Sequence, residues 1–212
     1  MSEENQKNSP ECANCGVFRC RSREDVNVPS FCPTKNFPEL IQKSLEMNKL
    51  PENLAIHQAW RTTIDTLQQG REKWSHTRLD EIVEFARLRK VKKIGIATCY
   101  ALQFESRLLS NFLEQRNFKV VSVSCYLGEL NPEDIGLVGK RFCNPILQAE
   151  ILNSENTELN IMMGLCLGHD ILFLKHCKAD TTPFVVKDNS LGHNTVAALY
   201  LTQGYYEDRF IK

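Results

Sequence analysis

Four cysteines near the start of the chain have the spacing of a metal site. Cys12, Cys15, Cys20 and Cys32 follow the pattern C-x2-C-x4-C-x11-C across "ECANCGVFRC" and the later "FCP". A two-residue gap lets two sulfurs of one turn reach the same ion, and four thiolates suit zinc or an iron–sulfur cluster. The glycine after Cys15 is typical of a zinc knuckle and the proline after Cys32 of ferredoxin-type motifs, so both metals stay open.

The composition indicates a reducing compartment for these thiols. The 212 residues carry 26 basic and 26 acidic side chains, and no charged run suggests nucleic acid or an anionic membrane surface as a partner. The polar start lacks the features of a signal peptide, and no later segment approaches the roughly 20 apolar residues of a membrane span. We therefore expect a cytoplasmic protein, in which clustered cysteines bind metals or perform catalysis rather than form disulfides.

A second group of cysteines lies at the ends of apolar runs of strand length. The runs "KKIGIATC", "FKVVSVSC" and "LNIMMGLC" end at Cys99, Cys125 and Cys166, and "TPFVVKD" ends at Lys187 and Asp188. In open parallel sheets, ligands bind outside the carboxyl ends of the strands. The sequence therefore predicts a functional site at this edge, although a single cysteine at such a position is more often a small buried residue.

The stretch "GLCLGHD" sharpens this prediction. Its glycines allow a tight turn around Cys166, and His169 follows where a helix should begin, so that free N–H groups and the helix dipole favour a thiolate. Cys166 and His169 are the candidate catalytic residues, and His193 in "LGHN" is expected to open a further helix. The predicted ligand-binding residues are Cys99, Cys125, Cys143, Cys166, Lys187, Asp188 and His193.

The elements that must position these residues alternate between helices and apolar strands. "TRLDEIVEFARLRK" has the i, i+3, i+4, i+7 apolar stripe of an amphipathic helix, and helical stretches separate the four runs. This pattern predicts an α/β fold with an open, mainly parallel sheet and helices on both faces. Three segments are expected: a Cys-rich metal-binding module over 1–35, a connector of two helices over 36–76, and a Rossmann-like α/β domain over 77–212.

Several stretches together resemble a known family. "CANC", "TRLDEIVEFA" before "KKIGIATC", "CNPILQAEILN", "NIMMGLCLGHD" and "VVKDNSLGHNTVAALY" are similar to the uncharacterised cysteine-rich family called domain of unknown function 1847. The resemblance spans nearly the whole chain. Members are often labelled predicted metal-binding proteins, so the resemblance implies metal binding and supplies no catalytic assignment.

Other known chemistries fit the sequence less well. "TCYALQ" after the first strand lacks the G-x-G-x-x-G of dinucleotide-binding folds, and no Walker loop is present. We expect a metalloprotein with zinc or an iron–sulfur cluster at the N-terminal cysteines. Cys99, Cys143, Cys166 and His169 are expected to surround a second metal, a cluster or a reactive thiol. The expected partner is a small molecule or a redox protein, and the alternatives are a non-catalytic metal or cluster carrier and a cysteine hydrolase.

Overall fold

The computed structural model of the chain describes residues 9–17, 20, 27–69, 76–139 and 142–204. The chain divides into two compact units, residues 1–61 and 62–212. In the part that is described, no helix is long and apolar enough to cross a membrane.

The first unit contains a 3-10 turn and helices that begin at prolines. A 3-10 turn covers Cys12–Asn14, and three helices follow: α1 (Pro33–Asn36), α2 (Pro38–Asn48) and α3 (Pro51–Gln68), within which the division between the units falls. Each helix has proline at its first position, where the missing N–H group costs nothing. The 3-10 turn, α1 and α2 bury no residue. The two helices expected after the cysteines are therefore present, preceded by the shorter α1.

The second unit is built on a parallel four-stranded sheet. Helix α4 (Arg78–Leu88) leads into β1 (Lys93–Thr98), α5 (Gln103–Glu114), β2 (Lys119–Ser124) and α6 (Pro145–Ser154). These are followed by β3 (Leu159–Met163), α7 (Leu167–His176), β4 (Asp180–Val185) and α8 (Thr195–Tyr200). The strand order is β2-β1-β3-β4, and every described pair is parallel.

Two buried apolar clusters hold the helices against opposite faces of this sheet. One cluster joins Ile82 and Val83 of α4 and Leu113 of α5 to Ile96 of β1 and its neighbours. The other includes Leu152 of α6 and Phe173 of α7. The central strands β1 and β3 are buried almost throughout, which explains why they are continuous apolar runs in the sequence. The predicted α/β fold, with helices on both faces of a parallel sheet, is confirmed.

Two predicted helix starts are displaced. Helix α7 begins at Leu167, two residues before His169. His193 does not open a helix, because α8 begins at Thr195 and His193 itself has a left-handed φ of 66° within the preceding turn. The turn, rather than a helix N-terminus, therefore sets the position of the His193 side chain.

Candidate functional site

The strand order places two of the predicted cysteines side by side. Since β1 and β3 are neighbours and the chain leaves β1 toward β2 on the other side, the carboxyl ends of β1 and β3 form the switch point where parallel sheets bind ligands. Cys99 follows β1, and its N–H donates to the Met163 carbonyl at 3.0 Å, which continues the pairing of the two strands. Cys166 follows β3 and precedes α7.

Gly164 allows these two strand ends to come close together. It has a φ of 61°, in the left-handed region that favours glycine. A Cβ at this position would also clash with the side chain of Leu102, which lies in the turn after Cys99. The "GLC" sequence therefore serves the packing of the turn after β1 against the end of β3.

Lys187 connects Cys99 and Cys166. Its Nζ donates to the Cys99 Sγ at 2.9 Å and lies 3.5 Å from the Cys166 Sγ. The hydrogen bond to Cys99 raises the pKa of Lys187, so the side chain is an ammonium at neutral pH. Cys99 is buried and Cys166 is half-buried. Because a neighbouring cation stabilises a thiolate, this arrangement suits nucleophilic sulfur chemistry.

Cys125 and Cys143 form a second pair beside the first. The Cys125 carbonyl accepts the Asn144 N–H at 2.8 Å, which brings Cys143 to the end of β2. Burial, together with a hydrogen bond to Cys125, raises the pKa of Cys143 to about 12, so Cys143 is a protonated thiol at neutral pH. Cys166 and Cys99 are close enough to Cys143 to act on it electrostatically. All four cysteines predicted at this edge are therefore brought together.

His169 and Asp170 lie in the first turn of α7. Burial, with a contribution from Lys187, lowers the pKa of His169, so the imidazole is neutral at pH 7. Burial raises the pKa of Asp170. The N–H groups of both residues donate to the Cys166 carbonyl, at 2.8 and 2.9 Å. A neutral imidazole in the turn that follows Cys166 is in a state that can accept a proton.

Asp188 and His193 shape a turn beyond β4. The Asp188 carboxylate accepts the N–H groups of Ser190 and Leu191 at 3.0 Å, and the Asp188 N–H donates to Nδ1 of His193 at 3.1 Å. These hydrogen bonds give both side chains a structural role in the turn that follows Lys187. Their predicted ligand-binding role stays a prediction.

The thiols at the edge are ligands that a soft metal prefers, but the described side chains there are not arranged as a metal site. Among residues 9–17, 20, 27–69, 76–139 and 142–204, no group of three or more His, Cys, Asp or Glu side chains is placed so that it could hold a metal ion. At the sheet edge, the Lys187 ammonium lies against two of the thiols. The position that a cation would take between Cys99 and Cys166 is therefore already taken by a charged side chain.

The sequence prediction missed the aromatic residues and the glutamine of the site. Tyr100, Tyr126 and Phe142 each adjoin one of the cysteines, and the repeated "TCY" and "SCY" at the ends of β1 and β2 were a signal for the two tyrosines. Gln148 of α6 is fully buried and donates to the carbonyls of Thr98 at 3.1 Å and Val123 at 2.9 Å. It ties the carboxyl ends of β1 and β2 together, and nothing in the spacing of an apolar helix indicated it.

The fold and site define a class of protein: an open parallel α/β unit with a lysine-bridged cysteine cluster at its switch point. The chain belongs to the family described as Protein of unknown function (DUF1847), which matches residues 32–184. It is 39% identical over 197 residues to the uncharacterized protein MJ0455 of Methanocaldococcus jannaschii, covering 90% of this chain and 93% of that protein. No solved structure matches the chain. The predicted family resemblance is confirmed.

Proposed function

We propose that the protein uses the thiols at the carboxyl edge of its sheet to attack an electrophilic atom of a small molecule or of a redox partner protein. The observation that carries the proposal is the Lys187 ammonium in contact with both Cys99 and Cys166. Cys166 is the attacking thiol, because it is the more exposed of the two and precedes the N-terminus of α7. Lys187 stabilises its thiolate, and Cys99 is the second thiol.

Redox exchange with a substrate disulfide suits this pair better than hydrolysis. The Cys166 thiolate attacks one substrate sulfur and expels the other as a thiolate; the Cys99 thiolate then attacks the Cys166 sulfur and expels the rest of the substrate. Two electrons pass from the two cysteines to the substrate, and an external dithiol restores them. A cysteine hydrolase needs a base held by a third group, and in the described part of the chain the His169 imidazole makes no hydrogen bond to a carboxylate.

A metal at the N-terminal cysteines is the second part of the proposal. Cys12 and Cys20 are exposed, and the elements around Cys12, Cys15 and Cys32 bury no residue. A segment whose described elements bury no residue gains stability from cross-links, and zinc or an iron–sulfur cluster bound by four thiolates supplies them. This reading requires reduced cysteines and therefore a reducing compartment such as the cytoplasm. A non-catalytic metal or cluster carrier is the alternative; in that case the edge thiols show no enhanced reactivity.

Site-resolved alkylation tests the proposal. Anaerobically purified protein is treated with iodoacetamide at pH 7, and the modification rate of each cysteine is read from peptide masses. We expect Cys166 to react faster than free cysteine and faster than Cys177, a half-buried thiol that lies against the Thr181 hydroxyl at 3.2 Å, away from Lys187. Equal rates for Cys166 and Cys177 would contradict the proposal. Iron, sulfide and zinc contents of the same sample identify the N-terminal metal.

A further inference from the structure

Aromatic side chains flank the thiols on two sides. Tyr100 and Tyr126, directly after Cys99 and Cys125, have ring centroids 5.9 Å apart with planes inclined by 55°. Phe142, next to Cys143, meets the His169 ring edge-on at 6.1 Å. The paired aromatic side chains therefore come from four separate segments of the chain, each adjoining or closely following a site cysteine.

The two tyrosine side chains are exposed to solvent rather than packed in the core. Tyr100 is 65% exposed and Tyr126 42% exposed, so neither ring contributes to the two apolar clusters of the core. The Tyr100 N–H donates to the Cys125 Sγ at 3.3 Å, which fixes the tyrosine backbone against the thiol cluster. Leu167, directly after Cys166, is 83% exposed. Exposed apolar side chains grouped around a few polar ones are typical of a ligand-binding site.

Lys187 supplies a positive charge at the thiols. Lys187 contacts Cys99, the residue before Tyr100, and is the ammonium that lies against the thiols. The His169 imidazole is neutral at pH 7, because burial lowers its pKa. Asp170 is an acidic group in the same turn of α7, and burial raises its pKa. Lys187 is therefore the group with which an anionic substituent of a ligand can pair, beside the thiolate that it stabilises.

We infer that the site takes a small electrophile carrying an aromatic ring next to an anionic group, with the ring against Tyr100 and Tyr126 and the anion toward Lys187. This inference rests on the proposed function and names its substrate class. Aromatic rings stack on tyrosine in offset or tilted geometry, and the exposed pair is open to such contact on its solvent side. The inference requires that the reactive sulfur or carbon of a ligand bound in this way reaches the Cys166 thiolate.

Disulfide probes of matched chemistry test the inference on the full-length protein. The probes are 5,5′-dithiobis(2-nitrobenzoate), which is aromatic and anionic, 2,2′-dithiodipyridine, which is aromatic and neutral, and 3,3′-dithiodipropionate, which is aliphatic and anionic. In each reaction the Cys166 thiolate attacks one sulfur of the probe, the S–S bond of the probe breaks, a mixed disulfide forms and the other sulfur leaves as a thiolate. Each rate is divided by the rate of the same probe with N-acetylcysteine, which removes differences in intrinsic reactivity.

We expect the normalised rate of Cys166 to be highest with the aromatic anion. Replacing both rings, Tyr100→Ala with Tyr126→Ala, should lower that rate about tenfold and leave the rate with dithiodipropionate unchanged. The Tyr100→Phe, Tyr126→Phe variant keeps the rings and should keep the rate. Tyr200→Ala removes a tyrosine that is 75% exposed on α8 and serves as the control.

Two outcomes with the Tyr100→Ala, Tyr126→Ala variant would overturn the inference. Equal losses with the aromatic and aliphatic probes would mean that the tyrosines only support the thiols, and no loss would mean that the rings serve another partner, such as an apolar protein surface. Failure of the proposed function is distinguishable, because Cys166 would then react with iodoacetamide no faster than free cysteine in the unmodified protein. Fast reaction with iodoacetamide but no preference among the probes overturns the substrate class alone.

Discussion

The two groups of cysteines carry the same side chain in opposite surroundings. Cys12 and Cys20 are exposed, and the short elements of their segment bury no residue. Cys99 and Cys125 are buried at the ends of strands that two apolar clusters hold in place. The sheet positions its thiols by packing and by hydrogen bonds, whereas we propose that a bound metal brings the N-terminal thiols together. Under the proposed function, the first group binds a structural or redox metal and the second carries out thiol exchange.

The largest expected effect concerns the N-terminal group. Cys15→Ser, or removal of the metal with a chelator, should abolish stoichiometric metal binding and expose residues 1–35 to protease, because structural metal sites contribute on the order of 10 kcal/mol. The sheet unit should keep its thermal transition. Cys177→Ser is the matched control, since Cys177 belongs to neither group and lies at the end of α7. Unchanged metal content and protease resistance in Cys15→Ser would remove the distinction between the two groups.

The second prediction tests whether packing and hydrogen bonds hold the sheet-edge thiols. Gln148→Leu removes two buried hydrogen bonds, those that the carbonyls of Thr98 and Val123 accept from the Gln148 amide. We expect the free energy of unfolding to fall by about 1–3 kcal/mol in urea denaturation. Gln115→Leu changes an exposed glutamine at the end of α5 and should have no such effect. A Gln148→Leu protein as stable as the control would show that Gln148 does not secure this edge.

The smallest expected effect concerns His169 and pH. Because its pKa is lowered in the folded state, the unfolded chain takes up a proton first as the pH falls through the usual histidine range. Stability should therefore decrease between pH 7.5 and 5.5, and His169→Asn should show a smaller decrease. His176→Asn, at the exposed end of α7, is the control. Urea unfolding at the two pH values measures the difference, and identical pH dependence in wild type and His169→Asn would contradict the burial of this imidazole.

The sequence predicted the fold and the cysteines at the sheet edge better than it predicted which side chains contact one another there. Alternating apolar runs and amphipathic helices are local patterns, so the parallel sheet and the cysteines at its edge could be predicted from them. The order β2-β1-β3-β4 depends on long-range packing, and the adjacency of β1 and β3 in it makes Cys99 and Cys166 neighbours. The contact of Lys187 with both sulfurs follows from the path of the chain after β4, which no periodicity describes.

Hydrogen bonds between side chains and the backbone were the hardest contacts to predict. Asp188 and His193 fold back on one another in a turn, an arrangement set by backbone conformation rather than by residue type. Gln148 interrupts an apolar helix face, and its Nε2 donates to carbonyls at the ends of two different strands. The Gln148 contacts join the ends of two strands, so they can be predicted only when the strand order is known.

The central claim is that the Lys187 ammonium activates the thiol pair, and the alkylation rate of Cys166 in Lys187→Met tests it most directly. Iodoacetamide is neutral, so the loss of a charge cannot change the reagent's approach by long-range attraction. At pH 7 we predict a fall of roughly tenfold in Lys187→Met, a rate close to wild type in Lys187→Arg, which keeps the cation, and no change in Lys175→Met on the exposed surface of α7. A Cys166 rate in correctly folded Lys187→Met equal to that of the wild type would contradict the account.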